Sequence, residues 1–354
     1  MDNVPIGVRE LEILTLSAGV YSSGINFSAL RAMHDWTVET LSKRPAQMQD
    51  VNSCTDEYTY AVVSIVGSSA ALAEYLPDGG EIERASKAFE RVVGRKIRGI
   101  VALNLSGENA LLAVQAAAVL DVPVVDGDGC GRVFPLLEQT LFTLGGITAG
   151  PFVLAMPGEE TITVDVAHER TEAFARFCVA AAGGWGIFFG YAMTGQQLKA
   201  TTVSGSMSGL LELSGDRLPT RSRSKPRTIC RGTISALEYP GHMSPHALDG
   251  IAFPSDAVSI LLREEGGRSR LIRLEAHNDI FFALADGIPI ATTPDQLLLV
   301  DENYRVVDID RLVLGLRVEF VVIDAPPAWH TETGRSLAGL GSPLILQTPE
   351  RSRA

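Results

Sequence analysis

The sequence predicts a two-part molecule: an N-terminal α/β domain on a mostly parallel sheet, then a mostly β, barrel-like domain. Three observations carry this. The chain has 354 residues, more than one small domain needs. Its first half alternates short apolar runs with helical periods, the pattern of a doubly wound sheet. Its second half is a series of alternating β runs punctuated by turn residues.

In order, residues 60–67 (YAVVSIVG) are apolar and β-branched, which suits a strand buried on both faces. Residues 83–93 (ERASKAFERVV) place apolar side chains at helical spacing, with Gly94 where a C-terminal cap belongs. Residues 97–105 read as the second strand, 108–120 as the second helix and 122–126 as the third strand. Loops after such strand ends gather on one sheet edge, where ligands bind. A helix is expected over 134–144, short strands at 152–156 and 161–166, and a helix over 168–182. A Gly-rich apolar segment around Trp185 and a small-residue helix near 202–213 follow. The β runs are 228–239, 257–263, 270–276, 281–285, 296–300 and 316–323. The expected domains are 1–170 and 171–354, the second opened by one or two helices.

Hydrophobic residues make up 46% and charged residues 20%, which excludes a disordered or collagen-like chain. The net charge of −12 repels phosphate backbones and anionic lipid, so neither nucleic acid nor membrane is an expected partner. Arg221, Arg223, Lys225 and Arg227 form the one basic cluster, read as a solvated linker. Cys54, Cys130, Cys178 and Cys230 lie far apart without metal-binding spacing. With an N-terminus unlike a signal peptide and no membrane-length apolar run, they point to a cytoplasmic protein with reduced thiols.

The densest chemical signal is VPVVDGDGCGRVFP, residues 122–135, where a strand runs into a loop holding Asp126, Asp128, Cys130 and Arg132 between glycines. Two carboxylates at a strand end could hold a divalent metal or orient a polar ring, and Arg132 could clamp an acid. The structural alternative is a tight turn with an Asp–Arg ion pair. Cys130 is a candidate nucleophile if its thiol is activated, and otherwise a small buried side chain. Asn104 and Asn109, after the second strand, could bond a substrate amide or serve a helix cap at Ser106. Glu74 offers acid/base capacity after the first strand.

His242 and His246 are separated by Pro245 and read as a surface loop; His277-Asn278-Asp279 ends a β run and could project into an interdomain cleft, Asn278 as a substrate contact. No GxGxxG, Walker loop or GxSxG elbow is present, so no nucleotide cofactor is expected; Gly205-Ser206 in SGSMSG suits close helix packing.

EYLPDGGE and GENALLAVQAAAVLDVPVVDGDGCGRVFP, followed by TTVSGSMSGLLELSG, LEAHNDIFFALADG, TTPDQLLLVD and LGLRVEFVVIDAPPAW, resemble the S-methyl thiohydantoin desulfurase family over nearly the whole chain. The resemblance implies a three-layer α/β domain joined to a C-terminal β domain. It also implies hydrolytic removal of methanethiol from a small heterocyclic substrate, or action on a related cyclic amide. Glu74, Asp126, Asp128 and Arg132 would be the catalytic polar residues. The family often accompanies hydantoinases, so a hydantoinase-like partner is an alternative role, and homo-oligomerisation is expected on general frequency. Three positions depart from the family pattern. Residues 18–24 (AGVYSSG) replace a glycine-rich stretch, Asn104 stands where a glutamate is usual, and Tyr75 where a basic residue is expected.

Overall fold

The computed structural model describes residues 3–17, 27–213, 226–239, 258–266, 268–277 and 279–340. The replaced loop at 18–24, the basic residues Arg221, Arg223 and Lys225, His242, His246 and Asn278 lie outside the described residues.

The chain opens with β1 (Val4–Ile6), α1 (Val8–Ser17), α2 (Phe27–Lys43) and β2 (Ala46–Asp50). The expected alternation follows as β3 (Thr59–Gly67), α3 (Ser69–Glu74), α4 (Glu81–Val93), β4 (Ile97–Ala102), α5 (Gly107–Leu120) and β5 (Val124–Asp128). Next come α6 (Leu141–Leu144), β6 (Phe152–Ala155), β7 (Thr161–Val164), α7 (Thr171–Ala181), β8 (Trp185–Thr194), α8 (Gly195–Thr201), β9 (Val203–Ser204) and α9 (Ser206–Leu211).

These strands form one sheet in the order β1-β2-β5-β4-β3-β8-β6-β7, with β9 added to β5. Its centre, β2-β5-β4-β3, is parallel, and antiparallel strands extend it on both sides. Alternate residues face opposite layers, as the pleat requires. Ala61, Val63, Ile100, Ala102 and Val124 pack with α1, α2, α4 and α5. Val62, Val101 and Val125 pack with Phe142, Ala175, Val179 and Leu198 of α6 to α8. The three layers expected from the family resemblance are present.

The second part is a closed antiparallel barrel of β10 (Arg227–Glu238), β11 (Val258–Glu264), β12 (Leu271–Ala276), β13 (Ile280–Ala285), β14 (Ile288–Val300) and β15 (Arg317–Ile323), followed by α10 (Glu332–Ala338). All six expected β runs are strands. Leu297, Leu299, Phe320 and Val322 fill the barrel. Their neighbours Leu298, Val300, Val321 and Ile323 point outward and join the core of the first domain.

One expectation changes, and the strands that complete the sheet are added to those expected. The helix over 134–144 shrinks to Leu141–Leu144. Local side-chain bonds win there: Gln139 Oε1 accepts from Leu136 N (3.3 Å) and Thr140 Oγ1 from Thr143 N (3.0 Å). The glycine-broken segment around Trp185 is a full strand, β8, paired with β3 from Thr59↔Thr194 to Gly67↔Trp185. Strands β8 and β9 both belong to the first sheet, so that sheet draws on the chain as far as Ser204. All four cysteines are free thiols.

Candidate functional site

The carboxyl end of β5 carries Asp126 and Asp128 on one face, flanked by β4 and by β9, which pairs Gly127↔Ser204 and Asp128↔Val203. Asp128 is 1% exposed. Its Oδ1 accepts from Cys130 N (2.7 Å) and Gly131 N (2.6 Å), which folds the loop back over the strand end. Gly131 makes this turn with φ +72°, and a Cβ there would meet Pro326 Cγ at 2.5 Å. Burial pushes the Asp128 carboxyl up to about 6, against the lowering effect of the Ser206 hydroxyl and the two amides. Asp126, 8% exposed, accepts from Ser208 N (2.9 Å) at Oδ1 and from Gly205 N (2.9 Å) at its carbonyl.

The other candidates serve the fold. Asn104 Oδ1 accepts from Ser106 N (3.0 Å) and Asn109 Nδ2 (2.9 Å), while Asn109 Oδ1 accepts from Ile65 N (2.7 Å). The two amides thus lock the ends of β3 and β4 to the start of α5, where Ser106 caps the helix. Cys130 is buried, its thiol 3.2 Å from both the Leu103 and Gln139 carbonyl oxygens. Burial, with Asp128 adding to it, pushes that thiol well above its ordinary value, so it is not an activated nucleophile. Arg132 is 4% exposed and reaches the barrel rather than either nearby aspartate. It pairs with Asp279, donates to the carbonyls of Pro294 and Asp295, and lies 4.5 Å over the Phe134 ring. The ion pair within the loop that the sequence left open is not formed, because the Arg132 guanidinium is taken by Asp279 of the barrel. Glu74 is exposed at the end of α3, and no hydrogen bond links it to Asp126 or Asp128. In EYLPDGGE the buried Glu81 accepts from Asp78 N (2.6 Å) and Gly79 N (2.9 Å), so that motif builds the start of α4.

Around Arg132 the seam is closed by Trp329, whose Nε1 donates to Cys130 O (2.8 Å) and whose ring packs edge-on to Phe134 at 4.7 Å. On its other side the loop is fastened to α7. Glu138 Oε1 accepts from Glu172 N (2.7 Å), Glu172 Oε2 accepts from Leu137 N (2.9 Å), and Arg176 pairs with Glu172. Glu138 Oε2 is buried without a partner, and burial pushes this carboxyl up to about 7.

Among the described residues no three His, Cys, Asp or Glu side chains converge as a metal-binding group. Asp126 and Asp128 also direct their Oδ1 atoms at different backbone amides, so the pair does not fit a divalent ion. No described helix is long and apolar enough to cross a membrane. One residue that sequence reasoning left as packing material lies in the site: Ser206, which starts α9 beside Asp128. Its signal was the run of small residues directly after a strand.

No curated protein matches the sequence. The structure is similar to the crystal structure of a protein from Chromobacterium violaceum, a structural-genomics target, with a TM-score of 0.73 at 19% identity over 93% of each chain. At that identity the likeness is one of fold. Sequence models described as the S-Me-THD-like N-terminal domain and S-Me-THD-like C-terminal domain match residues 10–166 and 166–342. Together they account for both the layered sheet and the barrel, and the chain belongs to the S-methyl thiohydantoin desulfurase-like family.

Proposed function

We propose that the chain is a hydrolase that removes methanethiol from an S-methyl thiohydantoin-type ring or acts on a related cyclic amide, with Asp128 as its general base and acid. The observation that carries this is the Asp128 carboxyl itself: buried at the carboxyl end of a central parallel strand, pinned through Oδ1, and shifted to about 6. A group with that value can both take and return a proton near neutral pH. Asp128 accepts a proton from water as the water oxygen bonds to the ring carbon bearing sulfur. The carbon–sulfur bond then breaks, and the departing methanethiolate takes the proton back from Asp128 and leaves as methanethiol. The ring carbon keeps the oxygen as a carbonyl once the hydroxyl proton is lost to a ring nitrogen.

The test is thiol release from an S-methyl thiohydantoin by the purified chain and by Asp128→Asn. The expected loss in the variant is about 10²- to 10⁴-fold. Release that survives the substitution removes Asp128 from the chemistry. A second reading, a noncatalytic partner of a hydantoinase-like enzyme, is favoured by one observation: Asn104, Asn109, Cys130 and Arg132 all have internal partners. A wild-type chain that releases no thiol supports it.

A further inference from the structure

Helix α4 ends at Val93, Gly94 caps it with φ +71°, and β4 begins at Ile97. This turn lies at the amino edge of the parallel strands, opposite the edge that carries Asp128. It borders a surface depression of about 670 Å³ lined by Lys87, Glu90, Arg91, Gly94, Arg95 and Lys96. Four of these side chains are cationic and one is acidic, in a chain whose net charge is −12. The sign of the charge is reversed locally.

The one acid is spent on the turn itself. Glu90 Oε1 accepts from Ile97 N (3.0 Å) and Oε2 from Lys96 Nζ (2.6 Å), which holds residues 94–97 as one wall of the hollow. Lys87 pairs with Glu83 at 3.3 Å, an exposed contact that water screens. Arg91 gives only its Nε, to Lys87 O at 3.3 Å. Its two terminal nitrogens and the whole Arg95 guanidinium bond nothing among the described residues. The space is open as well, since a Cβ placed on Gly94 meets no atom within 4 Å.

A cation in the last turn of a helix offsets the partial negative charge of its carbonyl end, which accounts for Arg91. It does not account for Arg95 and Lys96, which stand beyond the cap. Like charges gathered around a hollow repel one another and focus a positive potential inside it, and a multiply charged anion relieves the repulsion. Guanidinium forks match the paired oxygens of phosphate and carboxylate groups, and an anion with two such groups can engage both forks together.

We propose that this hollow binds a small polyanion, a compound carrying two or more phosphate or carboxylate groups, through Arg91 and Arg95, with Lys87 and Lys96 adding charge. The site stands apart from Asp128 and from the reaction proposed for it.

The experiment titrates inorganic tripolyphosphate and citrate into the full chain by calorimetry at low ionic strength, with sodium chloride matched for ionic strength as the reference. Wild type is compared with Arg91→Gln/Arg95→Gln and with Arg31→Gln, which removes an exposed cation of α2. One-to-one binding of at least one polyanion is expected, weakened about ten- to hundredfold in the double variant and unchanged in Arg31→Gln. Binding of tripolyphosphate alone marks phosphate as the recognised group, and binding of citrate alone marks carboxylate. Arg91→Lys/Arg95→Lys, which keeps the charge without the fork, should recover part of the affinity. Without ligand, the double glutamine variant should match or exceed the wild-type Tm because the removed charges repel one another, so its lost affinity is not lost fold. Equal affinity in wild type and the double glutamine variant, an equal loss in Arg31→Gln, or no binding of either polyanion beyond the chloride reference overturns the proposal.

Discussion

The two halves of the run DGDGCGRVFP each set charged side chains beside glycine but differ in what their polar atoms do. Arg132, in the second half, has every direction occupied: Asp279, two barrel carbonyls, the Val133 carbonyl at 3.1 Å and an aromatic face. In the first half, Asp128 bonds two amides through a single oxygen and stands beside the Ser206 hydroxyl. A saturated group holds a structure together, whereas one with bonding capacity left can act on a ligand. Glycine-spaced charged residues at a strand end therefore do not by themselves mark a site, since the same pattern can build a seam.

Substitutions on the saturated side should cost stability first. The largest effect is expected from Arg132→Ala, which leaves Asp279 without its guanidinium and empties a buried position; a loss of about 3–5 kcal/mol in urea unfolding is predicted. Arg132→Lys should recover only part of it, because a single ammonium cannot reproduce the fork. An Arg132→Ala protein of wild-type stability with abolished thiol release would move Arg132 into the chemistry and dissolve the contrast.

Glu138 gives the next effect, and its sign is set by its environment. Its carboxyl has an unperturbed value of 4.5 and is pushed up to about 7, so folding takes up a proton. The stabilising contribution is complete below about pH 4.5 and is lost as pH rises to about 7. Glu138→Gln mimics the protonated form. Relative to it, wild type should lose on the order of 3 kcal/mol between pH 4.5 and 8, measured as the pH dependence of denaturant midpoints. Parallel pH curves for the two proteins would show that Glu138 does not titrate in this range.

Trp329→Phe should have the smallest effect, about 1 kcal/mol, since the ring contact with Phe134 survives and only the bond to Cys130 O is lost. A larger loss accompanied by a changed KM would mean that the seam and the site are energetically linked.

Much of this was legible in the sequence, for physical reasons. Strands β3 to β5 and the barrel strands announced themselves because burial on both faces, or on alternate faces, leaves a direct imprint on residue order. Strand β8 did not, since Gly183, Gly184, Gly186 and Gly190 imitate a loop while Ile187, Phe188 and Phe189 are buried in the sheet. The site was legible in part. Asp128 was marked by its strand end and its glycines, but nothing in the order of residues shows that Arg132 turns away to Asp279, 147 positions along the chain. Nor does composition show that the serine of a small-residue run will stand beside Asp128; that depends on neighbours brought together only by the fold.

The outward side chains Leu298, Val300, Val321 and Ile323 bear on more than packing. Excised from its neighbour, the barrel would carry a greasy stripe along two adjacent strands and would self-associate. Expressed alone, the barrel should therefore aggregate, and co-expression with the first half should restore soluble material. The outer wall, and not the barrel interior, is thus the surface by which the barrel depends on the sheet.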